Sequence, residues 1–267
     1  MAIDKIQRML LHVKGFDEHL GGGIPNNHVV LITGNAGTMK SSLAFNVAYH
    51  EIKKNNKRAL YISLEETYDA IEMHMEHLGY NLKEAGCVHM GYDLKYLKKI
   101  KNNEFKKGKG GMVISDLGQV RKELADKELA PNENWFFLTK ALIKEAKKEL
   151  DIDIVILDSM SALHSLSQLE NPRVKLFYFF EFLRDLNITS FLITEMSSDG
   201  TKMGTFEEEI YLADGIIKLG TSNRHRKVSR EISITKMRAT NVSTDVFTLQ
   251  FKKGVFEALY GGQTPLI

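Results

Sequence analysis

The most informative segment of the chain reads Val29-Val30-Leu31-Ile32-Thr33-Gly34-Asn35-Ala36-Gly37-Thr38-Met39-Lys40-Ser41-Ser42. Its first five residues are apolar or β-branched and predict a strand that lies buried in a sheet. Residues 41–53 predict a helix, with one apolar face formed by Leu43, Ala44, Val47 and Ala48. A glycine-containing turn therefore joins a buried strand to the N-terminus of a helix, where backbone N–H groups favour a bound anion.

The turn matches the phosphate-binding pattern G-x-x-x-x-G-K-[ST] at all but one of its defined positions. Gly34, Lys40 and Ser41 stand at the required spacing. In this pattern the Lys reaches the β and γ phosphates, and the hydroxyl after it ligates Mg²⁺. Lys40 is therefore a candidate catalytic residue, and Ser41 a candidate metal ligand. The residues predicted to bind ATP or ADP here are Asn35, Ala36, Gly37, Thr38, Met39, Lys40, Ser41 and Ser42.

One position of the loop departs from the pattern. Met39 stands where the second glycine is usual, and Gly37 supplies flexibility inside the turn. Met39 keeps its backbone N–H and can adopt helical angles, so the phosphate cradle can still form. An ordinary glycine-containing turn is the alternative, and the predicted strand and helix on either side disfavour it.

Apolar runs and amphipathic segments alternate along most of the chain. Further strands are predicted at residues 59–63, 154–157 and 190–194, and further helices at 68–78, 135–150 and 174–186. Successive strands without long helices between them are predicted at 216–219, 231–237 and 246–251. The pattern predicts an α/β fold with a mostly parallel central sheet, flanked by helices, and antiparallel strands near the C-terminus.

The bulk properties fit one domain that covers residues 1–267, with an N-terminal segment at 1–24 and a variable, partly loop region at 91–134. The lysine-rich stretch 95–111 is its most loop-like part. The formal net charge of +2 gives no reason by itself to expect nucleic-acid binding. Cys87 is the only cysteine, no apolar run approaches the roughly 18 residues of a membrane span, and residues 1–14 lack a signal-peptide core. We therefore expect a cytoplasmic protein without membrane association.

Carboxylates directly follow two of the predicted strands. Asp158 comes after the run 154–157, and Glu65 and Glu66 come after the strand 59–63. The carboxyl ends of parallel strands form the ligand crevice of such a sheet. Asp158 is therefore a candidate Mg²⁺ ligand, and the two glutamates are candidates to orient or deprotonate water. Alternatively, these side chains cap the helices that follow them.

Several motifs are shared with one known family. They are Gly15-Phe16-Asp17-Glu18, Gly21-Gly22-Gly23-Ile24-Pro25, the loop from Ile32 to Ser42, Tyr61-Ile62-Ser63-Leu64-Glu65-Glu66-Thr67, Ile156-Leu157-Asp158-Ser159-Met160-Ser161-Ala162-Leu163, Leu212-Ala213-Asp214-Gly215-Ile216-Ile217 and Ile234-Thr235-Lys236-Met237-Arg238. Together they resemble the single-domain, archaeal-type KaiC-like ATPases of the RecA superfamily. The resemblance is weakest between residues 91 and 134.

The resemblance implies a RecA-like P-loop NTPase fold and a homo-oligomer, usually a hexameric ring, with ATP bound between neighbours. Glu65 and Glu66 match the family's paired catalytic glutamates. Lys236 and Arg238 match a Lys and an Arg that reach the phosphates of the adjacent subunit, and Arg230 matches a residue beside the base. Alternatively, Lys236 and Arg238 are a solvated edge-strand pair that guards against aggregation. The segment Ala239-Thr240-Asn241 departs from the Gly- and His-containing continuation of the family.

The leading functional hypothesis is a Mg²⁺-dependent ATPase that couples nucleotide state to ring conformation and to an unidentified protein partner. A second hypothesis is a DNA-repair accessory ATPase of the recombinase type. Basic clusters at residues 95–109 and 224–227 support it, although no separate DNA-binding domain is visible. A third is a nucleotide-binding switch with little hydrolysis, motivated by the Met39 departure. Autokinase activity stays undecided, because serines and threonines are too common to nominate.

Overall fold

A long sheet runs through the molecule and carries helices on both faces. The computed structural model describes residues 6–91, 93–103, 105, 109–117, 135–167, 171–196, 208–224 and 227–260, and of residues 102, 103, 208, 223, 224 and 227 the backbone alone. The strands are β1 Arg8–Met9, β2 Val13–Lys14, β3 Ile24–Pro25, β4 Val29–Gly34, β5 Arg58–Ser63, β6 Cys87–Met90, β7 Gly111–Asp116, β8 Ile154–Asp158, β9 Thr189–Glu195, β10 Gly215–Arg224, β11 Lys227–Met237, β12 Val246–Lys252 and β13 Val255–Tyr260.

Helices follow most of the strands in the first three quarters of the chain. They are α1 Lys40–Asn55, α2 Tyr68–His77, α3 Tyr96–Asn103, α4 Trp135–Leu150, α5 Met160–Ser167, α6 Pro172–Asp185 and α7 Glu208–Leu212. Helix α6 begins with a proline, whose missing N–H costs nothing in the first helical turn. Within the part of the chain that the structure describes, no helix is long and apolar enough to cross a membrane.

Eleven strands form the main sheet in the order β2-β13-β12-β11-β10-β4-β9-β8-β5-β7-β6, and β1 pairs separately with β3. Every pairing from β10 across to β6 is parallel. Strands β10, β11, β12 and β13 pair antiparallel in succession. This arrangement confirms the predicted α/β fold with a mostly parallel sheet and antiparallel strands near the C-terminus.

Strand β4 shows why the sheet is covered on both faces. Val30 and Ile32 belong to an apolar cluster with α1 and the N-terminal segment, whereas Val29 and Leu31 belong to a second cluster with α4 and α6. Since side chains alternate along a strand, an unbroken apolar run is stable only between two apolar layers. The carboxyl ends of β4, β5, β8 and β9 meet at one edge of this sheet, which we call the loop end.

The N-terminal segment packs against the same core. Phe16 and Leu20 are fully buried in the cluster on the α1 side of the sheet. Asn46 of α1 donates its side-chain amide to the carbonyl oxygens of Leu11 and His12, at 3.1 and 3.2 Å. The described part of this segment is therefore fixed to the helix that follows the loop.

The structure corrects the expectation for residues 95–111. This stretch was expected to be the most loop-like part of the chain, but it contains helix α3 and leads into strand β7. Leu97 and Ile100 are buried at helical spacing, while Lys98 and Lys99 are exposed. Strand β7 lies between β5 and β6, and all of its residues are buried. The expectation was wrong because a lysine-rich outer face hid a short amphipathic pattern.

Candidate active site

Residues 34–41 form the turn between β4 and α1 at the loop end. Gly34 has no room for a side chain, because a Cβ there would lie 2.3 Å from the carbonyl oxygen of Leu219 in β10. Gly37 has a φ of +75°, a left-handed angle that glycine adopts without strain. Geometry therefore requires both glycines, the first for close packing and the second for its backbone angle.

Met39 does not adopt the helical angles that the sequence allowed. Its φ of 72° and ψ of 33° are left-handed, and it is the N-cap residue of α1. The chain must reverse here so that the helix begins at Lys40, and the N–H of Leu43 then donates to the Met39 carbonyl oxygen at 2.9 Å. A left-handed angle costs a non-glycine residue about 1–2 kcal/mol, which explains why glycine is usual at this position. The Met39 side chain packs against the core on the α1 side.

Lys40 is folded back onto the loop. Its Nζ donates to the carbonyl oxygens of Gly34 and Asn35, at 3.0 Å each. The Thr38 hydroxyl closes the same turn by donating to Asn35 at 2.8 Å. Burial lowers the pKa of Lys40, and three carboxylates act in the opposite direction, those of Glu195, Asp158 and Glu65. The ammonium group is thus within electrostatic reach of acids from three different strand ends.

Asp158, the last residue of β8, lies beside Ser41, the second residue of α1. The Tyr61 hydroxyl donates to Asp158 Oδ2 at 2.5 Å, and the Ser41 hydroxyl is close enough to this carboxylate to act on its pKa. Burial raises the pKa of Asp158, and the Tyr61 and Ser41 hydroxyls lower it in part. A hydroxyl oxygen and a carboxylate oxygen therefore lie side by side at the position that the sequence predicted for a metal.

This donor set fits a magnesium ion that binds together with phosphates. Mg²⁺ uses oxygen ligands, takes only one or two carboxylates from the protein, and completes its octahedral shell with phosphate oxygens and water. Ser41 and Asp158 supply that minimal set. Among the described residues there is no group of three or more His, Cys, Asp or Glu that could hold a metal on its own.

Glu65 and Glu66 follow β5, and their surroundings differ. Glu65 Oε1 accepts a hydrogen bond from the Ser159 hydroxyl at 3.0 Å. Burial raises the pKa of Glu65, the Ser159 hydrogen bond lowers it, and the negative charge of Asp158 raises it further. Glu66 is fixed by its backbone, whose N–H donates to the hydroxyl of Ser63 at 3.0 Å. Of the pair, Glu65 is the one that acts on the charge of Lys40.

Side chains other than these acids cap the helices that follow. The hydroxyl of Thr67 accepts from the N–H of Ala70 at the start of α2. The hydroxyl of Ser159 accepts from the N–H of Ala162 at the start of α5, at 3.1 Å. Sequence reasoning assigned no role to Ser159 or to Tyr61, although both stand inside the quoted motifs. Their contacts depend on cross-strand register, which the motifs alone do not reveal.

Lys236 and Arg238 lie away from the loop end, toward the amino ends of the parallel strands. In the register of β10, Gly34 pairs with Leu219, whereas Lys236 pairs with Ile216, which is nearer the amino end of the parallel strands. At about 3.3 Å per residue this offset is roughly 10 Å along the strands, in addition to the lateral distance of two strand spacings. The structure therefore does not bring this pair to the loop of its own chain.

Both side chains have partners where they lie. Lys236 Nζ donates to two carbonyl oxygens near the end of α7, at 3.1 and 3.2 Å. Arg238 Nη1 donates to Asp214 Oδ1 at 2.7 Å, and Arg184 Nε donates to Oδ2 of the same carboxylate at 3.0 Å. We call Arg184, Asp214, Lys236 and Arg238 the Asp214 cluster.

The remaining basic residues divide between the loop and the surface. Arg230 lies at the loop of its own chain, where its Nε donates to the carbonyl oxygen of Gly37 at 3.2 Å. The basic cluster at residues 95–109 was considered as a polyanion site, and two of its members, Lys98 and Lys99, are exposed on α3. Other members of this cluster and of the one at residues 224–227 lie outside the described residues, namely Lys106, Lys107, His225 and Arg226.

Fold and site together define a class of protein. A parallel α/β sheet that ends in a glycine-containing loop with Lys40 and Ser41, next to Asp158 on a neighbouring strand, is the architecture of a P-loop nucleoside triphosphatase of the RecA-like type. A model of the family described as "ATPase: KaiC" matches residues 11–257, and the chain belongs to this family. The resemblance to KaiC-like ATPases is thereby confirmed.

Relatives are distant but align over most of the chain. The UPF0273 protein of Sulfurisphaera tokodaii is 26% identical over 242 residues, which cover 90% of this chain and 77% of the relative. The circadian clock protein KaiC3 of Synechocystis is 24% identical over 255 residues, which cover 94% of this chain but only 46% of that longer protein. A crystal structure of a KaiC-like protein from Pyrococcus horikoshii has a TM-score of 0.73 at 21% identity, covering 95% of this chain and 99% of that chain. It shows the shared fold.

Proposed function

We propose that this protein binds ATP together with Mg²⁺ at the loop end of the sheet and hydrolyses it. The observation that carries the proposal is the meeting of Lys40, Ser41, Asp158 and Glu65 around the glycine-containing loop. Membership of a family of ATPases supports it. Backbone N–H groups of residues 35–42 and the N-terminus of α1 would hold the phosphates. The lone Cys87 suits the cytoplasm as the proposed location.

Ser41 and Asp158 would hold the metal, and bound Mg²⁺ would neutralise charge on the phosphate oxygens. Lys40 would exchange the carbonyl oxygens of Gly34 and Asn35 for phosphate oxygens, and so place its positive charge on the group that is transferred. Because burial already lowers the pKa of Lys40, an anionic ligand would restore the preference for its charged form.

Glu65 would orient or deprotonate the attacking water. It is the glutamate whose charge reaches Lys40, and the Ser159 hydroxyl fixes one of its carboxylate oxygens. A raised pKa brings a carboxylate closer to the range in which a general base works well near neutral pH. Glu66, held by its backbone to Ser63, would assist from the neighbouring position.

A ring of identical subunits, a hexamer as the resemblance implies, would complete the site. Lys236 and Arg238 lie too far along the sheet to serve the loop of their own chain. Their contact with a nucleotide therefore requires a second copy of this chain. We propose that the ring couples nucleotide state to its own conformation and to a partner protein that recognises that conformation.

The first test compares phosphate release by the wild-type protein and by Glu65→Gln in the presence of Mg²⁺ and ATP. Loss of a positioned base lowers turnover about 10²- to 10⁴-fold, while ATP affinity changes little. Glu76→Gln, on the exposed face of α2, is the matched control and should leave turnover unchanged. Equal turnover in Glu65→Gln and wild type would remove Glu65 from the mechanism. Wild-type binding without any turnover would favour the nucleotide switch.

The second test concerns the ring and uses subunit mixing. Lys40→Ala removes the loop lysine, and a Lys236→Ala/Arg238→Ala variant removes the pair that is proposed to act on a neighbour. Each variant alone should be inactive. A mixture should regain activity, because the loop of the double variant can meet the intact pair of a Lys40→Ala subunit. No recovery in a mixture shown by co-purification of differently tagged subunits to form mixed oligomers would contradict the shared site.

A further inference from the structure

Tyr61 lies beneath the loop end and is among the largest fully buried side chains of the described structure. It stands in β5, between β7 and β8, and Phe45 of α1 covers its ring with centroids 6.3 Å apart in an edge-on arrangement. A phenol hydroxyl at such a depth must find a hydrogen-bond partner inside the protein. The role of Tyr61 therefore depends on which group accepts its hydrogen bond.

The hydroxyl of Tyr61 is hydrogen-bonded to one of the two side chains that are proposed to hold Mg²⁺ and lies near the other. It donates to Asp158 Oδ2 at 2.5 Å, at the short end of the range for a hydroxyl bound to a carboxylate. The Ser41 hydroxyl is close enough to the Tyr61 oxygen and to the Asp158 carboxylate to act on the pKa of both groups. Tyr61, Ser41 and Asp158 therefore lie together at the proposed metal position.

We propose that Tyr61 is a positioning residue for the metal site, which fixes the orientation of the Asp158 carboxylate through its O–H group. The inference rests on the proposed function, since it assigns Tyr61 a role toward the Mg²⁺ that accompanies ATP. Asp158 turns one oxygen to Tyr61, which leaves the other free for a ligand role. Ser41 can use an oxygen lone pair as ligand while its hydrogen remains available to Asp158.

A rigid partner is needed here because a carboxylate at the end of a strand can rotate. Hydrogen bonds to a ligating carboxylate set its orientation, and their loss commonly weakens metal binding 10- to 100-fold. Tyr61 is suited to this task, since its ring is held between sheet and helix and its hydroxyl has no freedom to leave.

The test is the Mg²⁺ dependence of nucleotide binding, measured without turnover by the fluorescence of a labelled, non-hydrolysable ATP analogue. Tyr61→Phe keeps the ring and removes only the hydroxyl. We expect the Mg²⁺ concentration at half-maximal enhancement to rise about 10-fold or more, while binding in EDTA stays within about twofold of the wild type.

Tyr80→Phe is the matched control. Tyr80 is buried in the same core, and its hydroxyl donates to Asn46 Oδ1 at 3.0 Å, away from the proposed metal ligands. Both variants lose one buried phenol hydrogen bond, so a purely structural effect would be common to both. We expect the Mg²⁺ dependence of Tyr80→Phe to equal that of the wild type. Equal Mg²⁺ midpoints in the two variants would overturn the role of Tyr61.

A double-mutant cycle shows whether Tyr61 acts through Asp158. Adding Tyr61→Phe to Asp158→Asn should cause no further change in the Mg²⁺ dependence, because the group to be positioned is already lost. A full additional loss would overturn the proposal. If the wild-type protein binds the analogue with no response to Mg²⁺, the metal site itself fails. If the wild type responds and Tyr61→Phe responds equally, only the inference about Tyr61 fails.

Discussion

The two ends of strand β4 each gather charged side chains around an aspartate, and the partners of the two aspartates differ. At the loop end, Asp158 receives a hydrogen bond from the neutral hydroxyl of Tyr61, and burial raises its pKa. At the other end, burial acts to raise the pKa of Asp214, but hydrogen bonds from Arg184, the Val29 N–H and Arg238 outweigh it and lower the pKa. Arginines of the same chain thus compensate the charge of Asp214, whereas the pKa of Asp158 stays raised.

The partners of Asp214 fit a structural role, and those of Asp158 support the proposal that it is a metal ligand. Asp214 ties together the start of β4, the arginine of α6 and the end of β11. Asp158 lies within electrostatic reach of Lys40, Glu65 and Glu66. The first arrangement predicts large effects on stability, and the second predicts effects on ligand binding.

The largest effect on stability is expected for Asp214→Asn. Removing one partner of a buried, hydrogen-bonded ion pair costs about 3–5 kcal/mol. Because the arginines are partly exposed, we expect a loss of about 3 kcal/mol for this variant. Asp153→Asn is the matched control, since Asp153 also accepts a strand N–H and a lysine, but its pair with Lys57 is one-third exposed. Its loss should stay below about 1 kcal/mol. Urea denaturation of the two variants measures the difference, and similar losses would contradict the special role of Asp214.

The destabilisation caused by Asp214→Asn should depend on pH. The folded pKa of Asp214 is lowered, so its contribution to stability is full above the unfolded pKa of about 3.9 and is lost as the pH falls through the folded value. The destabilisation by Asp214→Asn, measured against the wild type, should therefore be constant at neutral pH and shrink below about pH 4. A difference between the two proteins that persists unchanged at lower pH would show that the charge of Asp214 is not the stabilising feature.

In contrast to Asp214→Asn, Asp158→Asn should not lower the stability of the folded protein without nucleotide. Because the pKa of Asp158 is raised, its charged form is disfavoured by folding, and the neutral amide should leave stability without nucleotide unchanged or higher by up to about 1 kcal/mol. At an Mg²⁺·ATP concentration 100 times the dissociation constant, the wild type should gain about 2.7 kcal/mol and the variant far less. Urea denaturation with and without Mg²⁺·ATP measures both terms. A clear loss of stability without nucleotide would show that Lys40 already compensates the charge of Asp158.

The sequence predicted most of the fold because its strands are unbroken apolar runs between amphipathic helices. Strands β4, β5, β8 and β9 follow directly from that pattern. The region around β7 could not be predicted in the same way. Gly111 lies against the ring of Phe105, and β7 is a strand because it pairs with β5 on one side and β6 on the other. Such pairing is a tertiary effect that local composition does not record.

The site was predictable where it depends on strand ends and not where it depends on register. The loop and the acids Asp158, Glu65 and Glu66 follow strands directly, so the sequence alone places them at one edge. The hydroxyl of Tyr61 reaches Asp158 because β5 and β8 are neighbours with Ser63 beside Asp158, a pairing no motif encodes. The contacts of Lys236 with α7 likewise required the three-dimensional structure.

The smallest effect concerns one backbone position at each end of β4. Met39 has a φ of 72° and Ala239 a φ of 56°, so each holds a left-handed angle. Met39 stands where the phosphate-binding pattern usually has glycine, and Ala239 begins the segment that replaces the Gly- and His-containing continuation of the family. Ala239→Gly loses only a methyl group at an exposed position and should raise the free energy of unfolding by about 0.5–1 kcal/mol.

Met39→Gly would also remove the strain of the left-handed angle, but it would remove a side chain that packs against the core. The stability of this variant alone therefore combines a gain from the backbone with a loss from packing. Met39→Ala removes the packing but keeps the strained angle, which makes it the matched control. The Gly variant should be more stable than the Ala variant by about 1 kcal/mol in urea denaturation without nucleotide. Since the loop angle is set by the chain itself, both variants should keep ATP affinity near the wild-type value. Equal stability of the two variants would show that the left-handed angle at Met39 carries no strain and that glycine is usual there for another reason.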